Sequence, residues 1–146
     1  MPAVAESLIG SWQLVAFEFE FENGHRQAAY DDGKGSLIIT PDGRFVAILA
    51  DNARAENDLP SVLFDRMMAY TGRYRLQGED TVVVDVDVAW HPSWVGSKQT
   101  RRFTIKDGVL SIISTPVQHP KHPGQLVRGV INWKRESTGT SAELTS

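Results

Sequence analysis

The segment 81–105 constrains the fold more than any other part of this chain. In its first part every second residue is apolar, so that one face is apolar, while Asp85 and Asp87 lie on the other face. The apolar positions are Val82, Val84, Val86, Val88 and Trp90. A period of two is typical of a β-strand with one buried face, and it does not fit a helix. Pro92 and Gly96 interrupt the strand before residues 98–105 resume it, so the segment predicts a hairpin with an aromatic-rich loop.

The first strand is predicted over residues 12–22, and its pattern changes along its length. Phe17, Phe19 and Phe21 alternate with glutamates, whereas the large residues of the first half, Trp12 and Leu14, have the opposite parity. An extra residue in the strand would bring both halves to one face. We therefore expect a bulge or strong bend near residues 15–16, as in a strand that wraps around a barrel.

Short apolar segments separated by Gly-, Pro- and Asp-containing turns continue to the end of the chain. Further strands are predicted at 35–40, 44–50, 70–76, 109–115 and 126–135, and residues 59–69 suit one short helix. About eight hairpin-linked strands predict an all-β fold, an eight-stranded antiparallel barrel that can enclose one small ligand. Residues 1–135 are expected to form this single domain, and residues 136–146 a disordered C-terminal tail.

Composition excludes several classes of function. The chain has 146 residues, no Cys and a formal net charge of −3, which leaves no thiol chemistry and no basic surface for nucleic acid. No apolar run is long enough to cross a bilayer, and the first residues do not resemble a signal peptide. We therefore expect a soluble, cytoplasmic protein with no nucleic-acid or membrane partner.

Four short motifs, in this order, resemble the lipocalin-like domain family of bacteria and fungi. They are Gly-x-Trp at 10–12, Tyr-x-Gly-x-Tyr at 70–74, Pro-Ser-Trp-Val-Gly at 92–96 and Trp-Lys-Arg at 133–135. The resemblance covers residues 8–135 and implies a calycin-type barrel with an internal pocket. It also implies that a basic residue of the last strand, Arg128 or Arg135, packs over Trp12. Family members often carry His where Asp85 stands here, so the chemistry of this chain can differ from theirs.

Three side chains are candidates for acid–base chemistry. Asp85 would act as a general base if it faced the interior, although an outward, solvated position is the commoner arrangement opposite a row of valines. His91 follows the end of its strand and could serve as an acid or base at the pocket mouth or belong to an aromatic plug. Tyr74 could transfer a proton or bind a ligand, or it could pair across strands.

The predicted ligand-binding residues are aromatic, aliphatic and basic side chains of the barrel strands. Tyr70 and Tyr74 share one face, and Gly72 between them would leave room beside a ligand. Tyr74 and Arg101 would orient a polar end of the ligand. The full set is Trp12, Leu14, Phe45, Tyr70, Tyr74, Trp90, Trp94, Arg101 and Phe103, with Ile48 as a further wall residue.

Three functions remain open on the sequence. The first is binding of a small, largely hydrophobic molecule inside the barrel. The second is a cofactor-independent isomerase, cyclase or lyase reaction in the same pocket. The third is a homodimer formed by the face of Phe17, Phe19 and Phe21. No cofactor or metal is predicted, because nucleotide motifs are absent and His119 and His122 alone make a weak metal site.

Overall fold

The computed structural model describes residues 6–119 and 122–136. Antiparallel strands dominate these residues, with a helix, α1, at Pro60–Asp65, a helical turn at residues 6–8 and a 3₁₀ turn at Pro92–Trp94. The strands are β1 Gly10–Phe21, β2 Arg26–Ala28, β3 Gly33–Ile39, β4 Arg44–Asp51, β5 Met67–Gln77, β6 Thr81–Ala89, β7 Lys98–Lys106, β8 Val109–Ile113, β9 Val117–His119 and β10 His122–Arg135. No helix in the described ranges is long and apolar enough to cross a membrane.

Eight of the strands close into a barrel, as predicted. Each of β3 to β8 pairs with its neighbours in the order β1-β3-β4-β5-β6-β7-β8-β10, and β10 pairs back to β1. The short strands β2 and β9, which lie outside the predicted strands, extend the sheet beside β1 and β10. Because the first and last barrel strands pair, the barrel has no free edge between them.

The predicted irregularity in β1 is present. The register with β10 shifts between Leu14 and Ala16, and Val15 is 52% exposed. The extra residue restores the inward direction after the shift, so that Trp12 and Phe17 both contribute to the interior despite their opposite parity. Phe21 is also buried. The hypothesis of a dimer through the three phenylalanines is therefore not supported, since this face lies inside the barrel.

One end of the barrel is closed by Trp12 and Arg135. The guanidinium carbon of Arg135 lies 4.3 Å from the centre of the Trp12 ring. Arg135 Nη1 donates to the carbonyl oxygen of Ile9 at 2.8 Å, and Nη2 donates to that of Ser7. The Trp12 indole donates to the carbonyl oxygen of Leu8 at 2.9 Å. Arg135 is thus the basic residue over Trp12, whereas Arg128 pairs with Glu20.

The helix differs from the prediction at both ends. It covers six residues, Pro60–Asp65, and its N-cap is Leu59. Asp58, directly before Leu59, accepts a hydrogen bond from the amide of Ala55 at 2.8 Å. The predicted range 59–69 is too long, because Leu59 precedes the helix and is 69% exposed and Met67 already belongs to β5. The predicted disordered tail, residues 136–146, lies outside the described residues except for Glu136, whose amide donates to the carbonyl oxygen of Ser11 at 3.0 Å.

Replacing Arg135 by Ala is expected to lower the free energy of unfolding by about 1–2 kcal/mol, because it removes the cation–π contact and two hydrogen bonds to backbone carbonyls. Urea unfolding followed by Trp fluorescence measures the change. Arg102→Ala is the control, since that side chain is 76% exposed and its ion pair is with Asp80; we expect a change within about 0.5 kcal/mol. Equal effects of the two substitutions would contradict the role assigned to Arg135.

Candidate ligand-binding site

A cavity of about 170 Å³ lies inside the barrel. Strand alternation brings its wall together, because every second side chain of a barrel strand points inward. The wall is aromatic and aliphatic apart from two hydroxyls, one guanidinium and two indole N–H groups. Its residues are Phe17, Phe19, Leu37, Phe45, Ala47, Leu49, Met68, Tyr70, Trp94, Arg101, Ile112, Ser114, Val127, Gly129, Ile131 and Trp133.

A series of aromatic contacts runs from the cavity to the rim of the barrel. The Tyr70 ring stacks on Phe45 with 5.9 Å between ring centres and lies 5.1 Å from the ring of Trp94. Trp94 contacts Trp90 edge to face at 5.1 Å, and Trp90 lies 6.2 Å from Phe64 of α1. The 3₁₀ turn and α1 therefore supply aromatic side chains at the same end of the barrel, the end opposite Trp12 and Arg135.

Arg101 places a cation in this wall. It alternates with Gln99 and Phe103 on the inward face of β7, while Lys98, Thr100 and Arg102 are exposed. Nη2 of Arg101 donates to Oε1 of Gln99 at 2.5 Å, and Nη1 donates to the carbonyl oxygen of Thr100 at 3.0 Å. Burial lowers the pKa of Arg101, but a guanidinium remains charged at neutral pH.

Gln99 connects this guanidinium to the rim. Its Nε2 donates to Oγ of Ser97 at 2.7 Å, and that hydroxyl donates to the carbonyl oxygen of Trp94 at 2.6 Å. The hydrogen bonds thus join the guanidinium to the turn that carries Trp94. A side chain held in this way loses less conformational freedom when a ligand binds it.

Tyr70 is a neutral donor beside the cation. Burial raises the pKa of Tyr70, and the positive charge of Arg101 opposes that rise only in part. The phenol therefore keeps its proton at neutral pH and can donate a hydrogen bond. It is not placed to act as a base at that pH.

A family profile described as a lipocalin-like domain matches residues 9–136. The chain belongs to the lipocalin-like domain family. None of the curated proteins compared with it matches. Among solved structures, the chain is similar to rhizavidin, with 10% sequence identity and a TM-score of 0.38 over 94% of this chain and 96% of that one.

Four of the predicted binding residues line the cavity of this lipocalin-like barrel. They are Phe45, Tyr70, Trp94 and Arg101. Leu14 and Phe103 belong to the packed core around the cavity, as does Trp12. Trp90 lies at the rim against Trp94. Ile48 points outward and is 49% exposed, because the inward row of β4 is Phe45, Ala47 and Leu49.

Tyr74 lies too far toward the closed end to reach the cavity wall. Its hydroxyl donates to the carbonyl oxygen of Thr40 at 3.0 Å, next to the β3–β4 turn. Gly72 leaves no room for a ligand, since a Cβ there would lie 2.0 Å from the carbonyl oxygen of Asp85 on β6. The close approach of two strands, rather than a ligand, accounts for this glycine.

The other acid–base candidates lie outside the cavity. Asp85 is on the outer surface and pairs with Lys98 at 2.5 Å and with Arg75 at 3.4 Å. The ion pair with Lys98 keeps the pKa of Asp85 below its ordinary value. Asp87 pairs with Arg44 at 2.8 Å. His91 is exposed, and its Nδ1 accepts a hydrogen bond from the amide of Ser93 at 3.1 Å. These groups do not converge on one point.

Several residues that line the cavity were not among the predicted binding residues. Phe17 and Phe19 were recognised as a half-buried row, but their direction depends on closure of the barrel. Trp133 was noted only as part of a motif, and Ser114 directly follows β8, which ends at Ile113. The inward direction of Gln99 could have been predicted, because Gln99 lies two residues before Arg101 on the same face of the strand.

Asp51 links three segments of the chain at the cavity end of the barrel. It is fully buried, and its carboxylate accepts hydrogen bonds from the amides of Asp31, Asp32 and Ala53 at 3.0, 3.0 and 2.9 Å. Nε of Arg66, directly after α1, donates to the same group at 3.1 Å. One carboxylate thus holds together the loop before β3, the end of β4 and the end of the helix.

The environment of Asp51 predicts acid sensitivity. Burial alone would raise the pKa of Asp51, but the three amides and Arg66 together bring it well below its ordinary value. The unfolded chain therefore takes up a proton near pH 3.9 that the folded protein excludes. Stability from this group is complete above that pH and decreases as the pH falls below it.

Asp51→Asn is expected to lower the free energy of unfolding at pH 7 by about 2–4 kcal/mol, because Arg66 loses its buried anionic partner and keeps only the exposed Asp31, and one amide faces an N–H₂ group. The variant should also show a shallower loss of stability between about pH 5 and pH 2. Urea unfolding at several pH values measures both effects. A variant with the same pH dependence as the wild type would contradict the role of this carboxylate.

Proposed function

We propose that this lipocalin-like protein binds a small, largely hydrophobic molecule in the interior of its barrel. The observation that carries the proposal is the cavity itself, which is about 170 Å³ in volume and whose wall is mostly aromatic and aliphatic. Sites of this composition, with a few polar groups among apolar side chains, are typical of small-molecule binding. The family gives the barrel that surrounds such a site.

The size of the cavity limits the ligand. An engineered apolar cavity of roughly 150 Å³ in another protein holds benzene. A cavity of about 170 Å³ therefore suits a molecule built on about one or two aromatic rings. The rings of Phe45, Tyr70 and Trp94 offer faces and edges against which a flat molecule can pack.

Binding is favoured over catalysis by the positions of the titratable groups. An acid–base reaction needs a base within hydrogen-bond reach of the substrate. Asp85 lies on the outer surface, Tyr74 donates to Thr40, and His91 lies at the exposed rim. Inside the cavity, Tyr70 and Arg101 are hydrogen-bond donors, which suits them to holding a ligand.

Filling the cavity should weaken binding without unfolding the barrel. Ala47 lines the cavity and is 3% exposed, so Ala47→Leu adds volume where the ligand would lie. We expect affinity for naphthalene-sized compounds to fall by about tenfold or more, because ligand and side chain compete for the same space. Quenching of Trp fluorescence measures the affinity, and native mass spectrometry of freshly purified protein looks for a retained molecule.

Ala50→Leu is the matched control, because it makes the same change in the same strand on the outward row that includes Ile48. Its affinity should equal that of the wild type, and circular dichroism should show both variants folded. Equal affinities of all three proteins would place binding outside the barrel. Absence of binding by the wild type across a broad panel of such compounds would overturn the proposal.

A further inference from the structure

We propose that the natural ligand is a small aromatic carboxylate whose carboxylate group pairs with Arg101. This inference rests on the proposed binding function and specifies its ligand class. It starts from the position of one charged side chain in the apolar wall. Within residues 6–119 and 122–136, Arg101 is the only charged residue among those that line the cavity.

No carboxylate of the described residues forms an ion pair with Arg101. The acidic groups around the barrel pair with other cations, for example Asp85 with Lys98 and Glu20 with Arg128. The acceptors found for Arg101 are the neutral oxygens of Gln99 and Thr100. A guanidinium has five N–H donors, so most of them remain available for a ligand. A desolvated cation with free donors favours an anion over a neutral molecule.

The other polar groups of the cavity wall agree with this preference. Tyr70 presents a protonated hydroxyl. Oγ of Ser114 accepts a hydrogen bond from the amide of Gly129 at 2.7 Å, which leaves its own proton for another acceptor. The indole nitrogen of Trp133 is buried and has no hydrogen-bond partner in the described part of the chain. These groups can all donate, and none of them is a negative charge that would repel an anion.

A carboxylate fits the arrangement around Arg101 better than a neutral polar group does. Its two oxygens match the parallel N–H groups of a guanidinium, and such bidentate pairs are short and directional. Gln99 already holds one edge of the guanidinium, so less freedom is lost on pairing. A neutral ligand would cover the cation without neutralising it. The ring of an aromatic acid would lie against Tyr70 and Trp94.

The test compares 2-naphthoate with 2-naphthamide, which have the same ring and nearly the same shape but differ in charge. Isothermal titration calorimetry with the full chain at pH 7 should show that the wild type binds naphthoate roughly 10- to 100-fold more tightly, as expected for a hydrogen-bonded charge. Arg101→Met should reduce this ratio to about one, mainly by weakening the binding of naphthoate.

Arg102→Met is the matched control, since it removes a guanidinium from the adjacent, outward position of the same strand. It should keep the wild-type preference. The unliganded Arg101→Met protein should melt at the same temperature as the wild type or higher, because an unpaired cation leaves the cavity. A purely structural Arg101 would instead give a lower melting temperature and an unchanged ligand preference.

The outcomes separate the two proposals. Equal binding of the two compounds by the wild type, or tighter binding of the amide, would overturn the carboxylate inference while leaving the binding function in place. Failure of the folded wild type to bind either compound, together with a negative result from the panel above, would overturn the binding function and the inference with it. The wild-type comparison decides the inference even if Arg101→Met does not fold.

Discussion

The pairing of the first barrel strand with the last is the contact on which the rest of this structure depends. It runs from Trp12 opposite Arg135 to Phe21 opposite Val127. Without it, eight strands would form an open sheet with two free edges and no enclosed volume. The two strands also supply six of the residues around the cavity: Phe17, Phe19, Val127, Gly129, Ile131 and Trp133. The same strand pairing therefore closes the barrel and forms much of the cavity wall.

The two ends of the barrel are stabilised by different chemistry. At the closed end, an arginine covers Trp12 and satisfies the backbone carbonyls of Ser7 and Ile9. At the other end, the buried carboxylate of Asp51 collects backbone amides and Arg66. At the closed end a cationic side chain donates hydrogen bonds to backbone carbonyls, and at the cavity end an anionic side chain accepts hydrogen bonds from backbone amides. Both devices satisfy backbone groups that strand pairing leaves unpaired.

Much of the fold could be predicted because it follows from the local alternation of apolar and polar residues. The parity change of β1 and the valine row of β6 each depend on neighbours within a few residues. The structure confirms the first and confirms the second as far as Val86. Val88 is 62% exposed, because the register with β5 shifts between Val86 and Val88, and Val83 on the other face is buried. The cavity depends on non-local placement. Tyr70 and Tyr74 share a face in the sequence, yet their distance along the strand puts only Tyr70 beside Trp94. No local sequence pattern predicts at which end of a barrel the cavity lies.

The outward direction of Asp85 shows why a pair of charges on a strand is a weak sign of catalysis. Cross-strand neighbours decide the matter, and here Lys98 lies opposite Asp85 in the register. Arg101 lies opposite Val82 in the same register. Its cross-strand neighbour is therefore a buried valine, whereas that of Asp85 is a lysine. The same two strands therefore neutralise a carboxylate on the outside and leave a cation unpaired on the inside. An unpaired cation opposes the stability of the empty barrel. The anionic ligand that we propose for the cavity would explain a charge that stability does not.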